Sequence, residues 1–406
     1  MSTPAGDRTH DVVVHGATGF VGRLTAAYLA RSAPPGTRIA LSGRSQERLE
    51  AVRSELGVDW PLVVADSSDT AALAELARST TAVATTVGPY ARHGLPLVQA
   101  CAAAGTHYAD LTGEALFVRD AIDTAHDAAV ANGARIVASC GFDSVPSDLG
   151  VLLTAEAARA DGAGELTDTT LTLGSARGGV SGGTVDSLRG MVDVISADST
   201  KRKVLADPYS LSPDRSSEPD LGKQSDATTV SRVDGRWVGP FVMAPHNTRI
   251  VRRSNALQDW AYGRTFRYRE VMSFGSSPAG PVLATAAGVG ILGVAAGLAI
   301  PPTRWVLDRV LPKPGQGPSV TTQENGHFRV EVVSTTTSGA RYRTTVAAKG
   351  DPGYAATAVM LGQSALCLAL DPLTSPGGVL TPAVAMGSWL ADRLRAAGFT
   401  LTTERL

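Results

Sequence analysis

Asp11-Val12-Val13-Val14-His15-Gly16-Ala17-Thr18-Gly19-Phe20-Val21-Gly22 is the stretch on which the fold turns. Asp11 to His15 reads as a short buried strand. The glycines follow at once, and a helical pattern runs on to about Ser32, with Val21, Leu24, Tyr28 and Leu29 at core spacing. Strand, glycine turn and helix are the context in which a dinucleotide pyrophosphate is held. Gly16 permits the tight turn. Gly19 lets the backbone approach the pyrophosphate at a helix N-terminus, where open N–H groups and the helix dipole favour an anion. Thr18 and Phe20 flank that approach, and Gly22 allows helix and strand to pack closely. The spacing is GxxGxxG rather than GxGxxG.

Outward from this turn the pattern repeats. Strands are expected at 38–42, 61–65, 81–87, 107–110 and 134–139, separated by helices at 45–56, 70–79, 95–104 and 116–132. Alternating units of this length predict an α/β fold: a Rossmann-type, doubly wound parallel sheet with helices on both faces. The second strand ends in Ser42-Gly43-Arg44-Ser45, where NAD-preferring folds place a carboxylate for the ribose 2′-OH. Arg44 can pair with a 2′-phosphate instead, and Ser45 can add a hydrogen bond, so the expected cofactor is NADPH. Asp66, ending strand three, either contacts adenine or caps the next helix. Gly88, after strand four, is a further expected cofactor contact.

After Cys140 the alternation stops. Strands at 165–175 and 264–274 and a hairpin at 327–337 and 340–348 predict a second, α+β domain on a largely antiparallel sheet. Helices are expected at 149–160, up to about 197 from Ser181, at 354–369 and at 383–396, with a long polar loop over 206–236. The expected division is 1–146 for the NADP-binding domain and 147–380 for a substrate or dimerisation domain. Residues 381–406 supply a C-terminal helix that packs back on the first domain.

Composition narrows the function. Net charge is −1 over 406 residues, which argues against a nucleic-acid binder relying on a basic field. Cys101, Cys140 and Cys367 have neither metal-site spacing nor an even count for a disulfide framework. No HExxH, paired CxxC or Walker motif occurs. The polar N-terminus lacks a signal-peptide apolar region, so a cytoplasmic setting is expected. Residues 281–300 carry no charge and reach the length of a membrane span. Arg304, Trp305 and Arg309 follow, as at an interface. Membrane-surface contact, burial in the core or a homodimer interface, and spanning all stay open. A single crossing would separate strands of one sheet.

A reductase needs a group near the nicotinamide that can supply a proton. In this fold the ends of strands four to six reach that region: Val87–Tyr90, Asp110–Glu114 and Cys140–Asp148. Tyr90 is the candidate donor by residue type, with packing beside the cofactor as its other reading. Asp143 and Glu114 are donors if their pKa values are raised, and otherwise organise loops. Cys140 reads as structural. His93 and His107 lie near strand ends and read as surface or capping residues rather than acids or ligands.

Five motifs in order carry a resemblance: Gly16–Gly22, Ser42–Ser45, Thr86–Tyr90, Tyr108–Glu114 and Cys140–Asp148. Asn247–Asn255 and Leu380–Ala383 extend it over nearly the whole chain. Together they resemble the saccharopine dehydrogenase-like oxidoreductases, and among these the mycobacterial trans-acting enoyl reductases. The resemblance implies NADPH-dependent reduction of a carbon–carbon double bond. It implies an acyl chain presented by a polyketide synthase or acyl carrier, and products that feed cell-envelope lipids and glycolipids. Two alternatives stand beside it. One is an imine or amino-acid reductase of the saccharopine type, with Arg177, Arg249, Arg252 and Arg253 gripping carboxylates. The other is a non-catalytic, lipid-associated NADP-binding protein.

Overall fold

The computed structural model describes residues 8–178, 189, 198–222, 229–310 and 319–406. It divides into two compact units. Unit 1 runs to Val145 and takes up the chain again at Gly353–Ala397, while unit 2 holds Pro146–Pro314, Pro318–Pro352 and Gly398–Leu406. The first boundary falls one residue from the expected one. The chain re-enters unit 1 at 353 rather than 381, and the last nine residues belong to unit 2. Of the helix predicted from Ser181 to about 197, residue 189 is described and is helical, and the rest lies outside the described residues.

Unit 1 is built on seven parallel strands in the order β13-β6-β5-β4-β1-β2-β3. They are β1 (His10–His15), β2 (Ile39–Gly43), β3 (Leu62–Val64), β4 (Thr80–Thr85), β5 (His107–Ala109), β6 (Arg135–Val137) and β13 (Gly378–Leu380). The first six follow the doubly wound order, reversing at β1 and β4. Val12, Val13 and Val14 at the centre are fully buried. Burial on both faces of a strand is what a run of β-branched residues suits, at about 1.5–3 kcal/mol per side chain. β13 adds an unexpected seventh strand, pairing Val379 with Ile136.

The helices are α1 (Phe20–Ser32), α2 (Gln46–Leu56), α3 (Thr70–Ser79), the single turn α4 (Tyr90–His93), α5 (Leu95–Ala104) and α6 (Ala115–Asn132). Asp69, not Asp66, caps α3, accepting from the N–H groups of Ala71 and Ala72. Helix α7 (Val145–Ala160) leads into unit 2. There follow α8 (Ser199–Ala206), α9 (Ala244–Leu257), α10 (Gly280–Ala299), α11 (Pro301–Val310) and α12 (Val320–Glu324). Back in unit 1, α13 (Ala355–Leu370) packs on α1. A Cβ at Gly362 would stand 2.8 Å from the Tyr28 ring, so glycine sets that close approach. Two short helices, α14 (Pro382–Ala385) and α15 (Gly387–Ala396), end the unit.

The sheet of unit 2 has the order β14-β12-β11-β7-β10-β9-β8. Its strands are β7 (Leu166–Arg177), β8 (Ser231–Val233), β9 (Arg236–Pro240), β10 (Arg267–Ser273), β11 (His327–Thr336), β12 (Arg341–Lys349) and β14 (Thr400–Arg405). All neighbours run antiparallel except β7 and β10, which pair in parallel. The polar stretch expected as loop contributes β8, and its end leads directly into β9.

Candidate cofactor site and catalytic cluster

The glycine turn has the shape of a cradle. Gly16 sits at φ 84°, and a Cβ there would lie 2.8 Å from both Thr86 Oγ1 and Val87 Cγ2. Its N–H and that of Ala17 donate to the Ser42 carbonyl at 2.9 and 3.0 Å, tying the turn to the end of β2. The Gly19 N–H closes the loop onto the Gly16 carbonyl at 2.9 Å. A Cβ on Gly22 would be 2.1 Å from that same carbonyl oxygen, so only glycine lets α1 start here. Gly19 is exposed, and no side chain caps α1. The first-turn N–H groups therefore face outward for an anion. Phe20 packs edge-on against Tyr354, 5.0 Å between ring centres. Beneath the turn His15 is buried, with Nδ1 3.0 Å from Ser42 Oγ. Burial lowers its pKa to about 4, so it is neutral under the cradle.

At the end of β2, Arg44 is exposed. Ser45 caps α2, its hydroxyl accepting from the Arg48 N–H at 3.4 Å. One turn into that helix, Arg48 reaches back to the Thr18 carbonyl, 3.5 Å from a guanidinium nitrogen. A second cation thus stands by the glycine turn, at a position that the sequence pattern hid on a polar helix face. Asp66 neither caps a helix nor is buried. It accepts from the Ser68 N–H at 2.9 Å and hydroxyl at 2.6 Å, which with nearby Arg44 and His93 hold its pKa down. Gly88 is exposed, and a Cβ there would make only ordinary contact with Tyr90, so steric need does not explain this glycine.

The ends of β4, β5 and β6 converge on a carboxylate cluster. Asp110 is fully buried. One oxygen accepts from the N–H groups of Thr112 and Ser139 at 3.0 and 2.8 Å, and the other from the Tyr108 hydroxyl at 2.9 Å. Ser139 holds φ at +64°, a left-handed conformation rare outside glycine, and its hydroxyl donates to the Thr112 carbonyl at 2.6 Å. Glu114 accepts from the N–H groups of Tyr90 and Ala91 at 3.1 and 2.9 Å, fixing the start of α4. The Tyr90 hydroxyl donates to the Thr85 carbonyl and accepts from the Leu111 N–H, both at 3.2 Å. Burial, foremost, and the neighbouring carboxylates push its pKa well above the usual phenol value.

Asp143 is placed differently. It stands in the turn after β6, closed by the Val145 N–H on the Gly141 carbonyl at 3.0 Å. Thr357 of α13 holds the same turn, accepting from the Phe142 N–H at 3.0 Å. As a whole residue Asp143 is half-buried, while its carboxyl group is enclosed. Low-dielectric surroundings, and secondarily the charge of Asp110, raise its pKa to about 7. Burial raises Asp110 to about 6. A carboxyl that is half protonated near neutrality can both give and retake a proton.

His107 Nδ1 accepts from the Arg135 N–H at 3.1 Å, and burial lowers its pKa to about 3. His93 is exposed on α4. All three cysteines are buried, and none forms a disulfide. No group of three or more His, Cys, Asp or Glu is arranged for a metal among the described residues.

Residues 12–137 match the model of the saccharopine dehydrogenase NADP binding domain. A Mycobacterium tuberculosis protein described as a trans-acting enoyl reductase is 51% identical over 415 residues, covering 98% of this chain and 99% of the relative. The chain belongs to the trans-acting enoyl reductase family. A relative of the same description from Mycobacterium ulcerans is 50% identical over 416 residues, again covering 98% of this chain and 99% of its own length. Apo saccharopine dehydrogenase (L-Glu forming) from Saccharomyces cerevisiae superposes with a TM-score of 0.55 at 14% identity, covering 97% of this chain and 99% of that one. That likeness shows a shared fold. With its NADP-binding domain, this family member is an NADPH-dependent oxidoreductase. The cradle fits the cofactor: an open helix N-terminus, glycines that exclude a Cβ, and two arginines beside the turn.

Proposed function

We propose that the chain is a trans-acting enoyl reductase, reducing the carbon–carbon double bond of an acyl chain carried as a thioester on a polyketide synthase or acyl carrier protein. NADPH supplies the hydride for the β-carbon. Gly16, Thr18, Gly19, Phe20 and Gly22 hold the pyrophosphate region, with Asp66 and Gly88 along the same rim. Arg44, aided by Arg48, receives the 2′-phosphate, and Ser45 sets the helix from which Arg48 projects. The relatives' descriptions, at half identity over nearly full length, carry this reading.

We assign the proton for the α-carbon to Asp143. It stands in the turn after β6, and burial of its carboxyl raises its pKa to about 7. Tyr90, the donor suggested by residue type, serves better as scaffold, because its hydroxyl proton is committed to the Thr85 carbonyl and burial holds its pKa high. Asp110 positions the turn ends and, by its charge, keeps the Asp143 proton in place.

The saccharopine-type alternative needs arginines that grip carboxylates. Arg249, Arg252 and Arg253 are buried and donate to the backbone carbonyls of Leu205, Pro208 and Leu211. That pattern clamps residues 205–211 and favours the enoyl reading. The product class we infer is cell-envelope lipid or glycolipid, made in the cytoplasm at the inner face of the plasma membrane. Residues 281–300 are the candidate contact, there or in a homodimer. Purified protein with NADPH and a carrier-bound enoyl thioester should yield the saturated chain. Turnover confined to an amine with a keto acid would overturn the assignment.

A further inference from the structure

Helix α10 (Gly280–Ala299) is long and apolar enough to cross a bilayer, yet only 11% of its most apolar window is buried. Its inward stripe is small: Gly280 abuts Trp237, where a Cβ would lie 2.6 Å from Cδ1, and Ala284 is fully buried against Gly239 of β9. Its outward face is apolar too. Val282, Leu283, Val289 and Leu292 are 53–71% exposed, and Ile300 just beyond is 52% exposed. At 3.6 residues per turn, the exposed positions sweep an arc of roughly 200°. A surface helix facing water would put charges there.

We propose that α10 and α11 form a monotopic docking element for an anionic lipid leaflet, with α10 in the plane of the membrane. A second copy packing as a helix would cover only part of so wide an arc, whereas acyl chains can cover all of it. The end of the element matches a headgroup layer. Trp305 and Val306 on α11 are 61% and 52% exposed, and the Arg309 guanidinium stands 3.2 Å from the Trp305 ring centre. An aromatic–cation pair beside an apolar helix suits the interface between acyl chains and negative headgroups. A transmembrane course is excluded because α10 packs on β9 along its first half. The inference rests on the reading that the substrate is a lipid-type acyl chain.

The test uses the full chain with vesicles of phosphatidylcholine alone or with phosphatidylglycerol, in co-sedimentation at low and high salt. Binding is expected to both, stronger to the anionic vesicles and weakened by salt. The double change Val289→Glu and Leu292→Glu should lower binding about tenfold or more, while NADPH affinity and turnover of a short soluble enoyl thioester stay unchanged. Unaltered vesicle binding would overturn the proposal. So would a wild-type dimer, measured by light scattering, that does not bind vesicles and is split by the double change. Loss of turnover restricted to carrier-bound substrate, without vesicle binding, would assign the face to the carrier protein. Failure of the carrier-bound enoyl thioester to react with the wild-type protein, with vesicle binding intact, would sink the enoyl reading and leave the docking element standing.

Discussion

At the scale of single residues, the proposed chemistry rests on two arginines and one carboxyl group. Arg48 reaches the glycine turn, and Arg44 follows the end of β2, which carries no carboxylate. Charge-assisted hydrogen bonds to a phosphate are worth about 1.5–3 kcal/mol, so Arg44→Ala should raise the NADPH Kd roughly 10–100-fold and leave NADH nearly unchanged. Fluorescence titration with both cofactors checks this, and an unchanged ratio would remove Arg44 from the 2′-phosphate site. Asp143 is the carboxyl group. Because its pKa is raised to about 7, the protonated donor predominates below that pH and is lost above it. The proton-transfer rate should therefore be flat on the acid side and fall as pH rises through about 7. Asp110→Asn removes a neighbouring negative charge, so Asp143 should ionise more easily and the falling limb should move to lower pH. Asp143→Asn should abolish the limb along with most of the rate, by about 10²–10⁴-fold. The glycine turn, and Arg44 as a candidate, were readable because local backbone geometry and residue type announce them. Arg48 was not, since a polar helix face looks the same whether or not it points at a ligand. Nor was Thr357, whose hold on the Phe142 N–H spans 215 positions.

At the scale of elements, the turn between β1 and α1 is the tightest constraint. A methyl group on Gly22 would sit 2.1 Å from the Gly16 carbonyl oxygen, so Gly22→Ala must displace either the helix or the loop. A cost of about 1–3 kcal/mol or more is expected, seen as a lower thermal midpoint together with weakened NADPH binding. Normal stability and cofactor affinity would contradict the packing described here. Periodicity gave the first six strands of unit 1 to within about three residues at each end because each is short, apolar and separated by an amphipathic helix. β13 escaped because Gly378-Val379-Leu380 is three residues long and follows no regular crossover. β8 and β9 sit in or beside polar sequence, where pairing rather than side-chain pattern makes the strand. The parallel pairing of β7 with β10 joins segments about a hundred residues apart, and no local signal encodes that register.

At the scale of the whole molecule, the chain leaves unit 1 at Val145 and returns at Gly353. The excursion sets Tyr354 against Phe20 beside the glycine turn and Thr357 of α13 on the turn after β6, so unit 1 is completed by late sequence. Ligand that binds only the folded chain stabilises it by mass action, about 2.7 kcal/mol at a hundredfold excess over Kd. NADPH should thus raise the unfolding temperature more than NADH at equal concentration, and Arg44→Ala should narrow that gap. The most direct test of the central claim is single-turnover mixing of the NADPH-loaded protein with an enoyl thioester on its carrier, followed by nicotinamide absorbance and product mass. The account predicts oxidation of one NADPH per saturated chain formed, with a rate that falls above pH 7 in the wild type and not in Asp143→Asn. Bound NADPH that stays reduced in the presence of that substrate would contradict it.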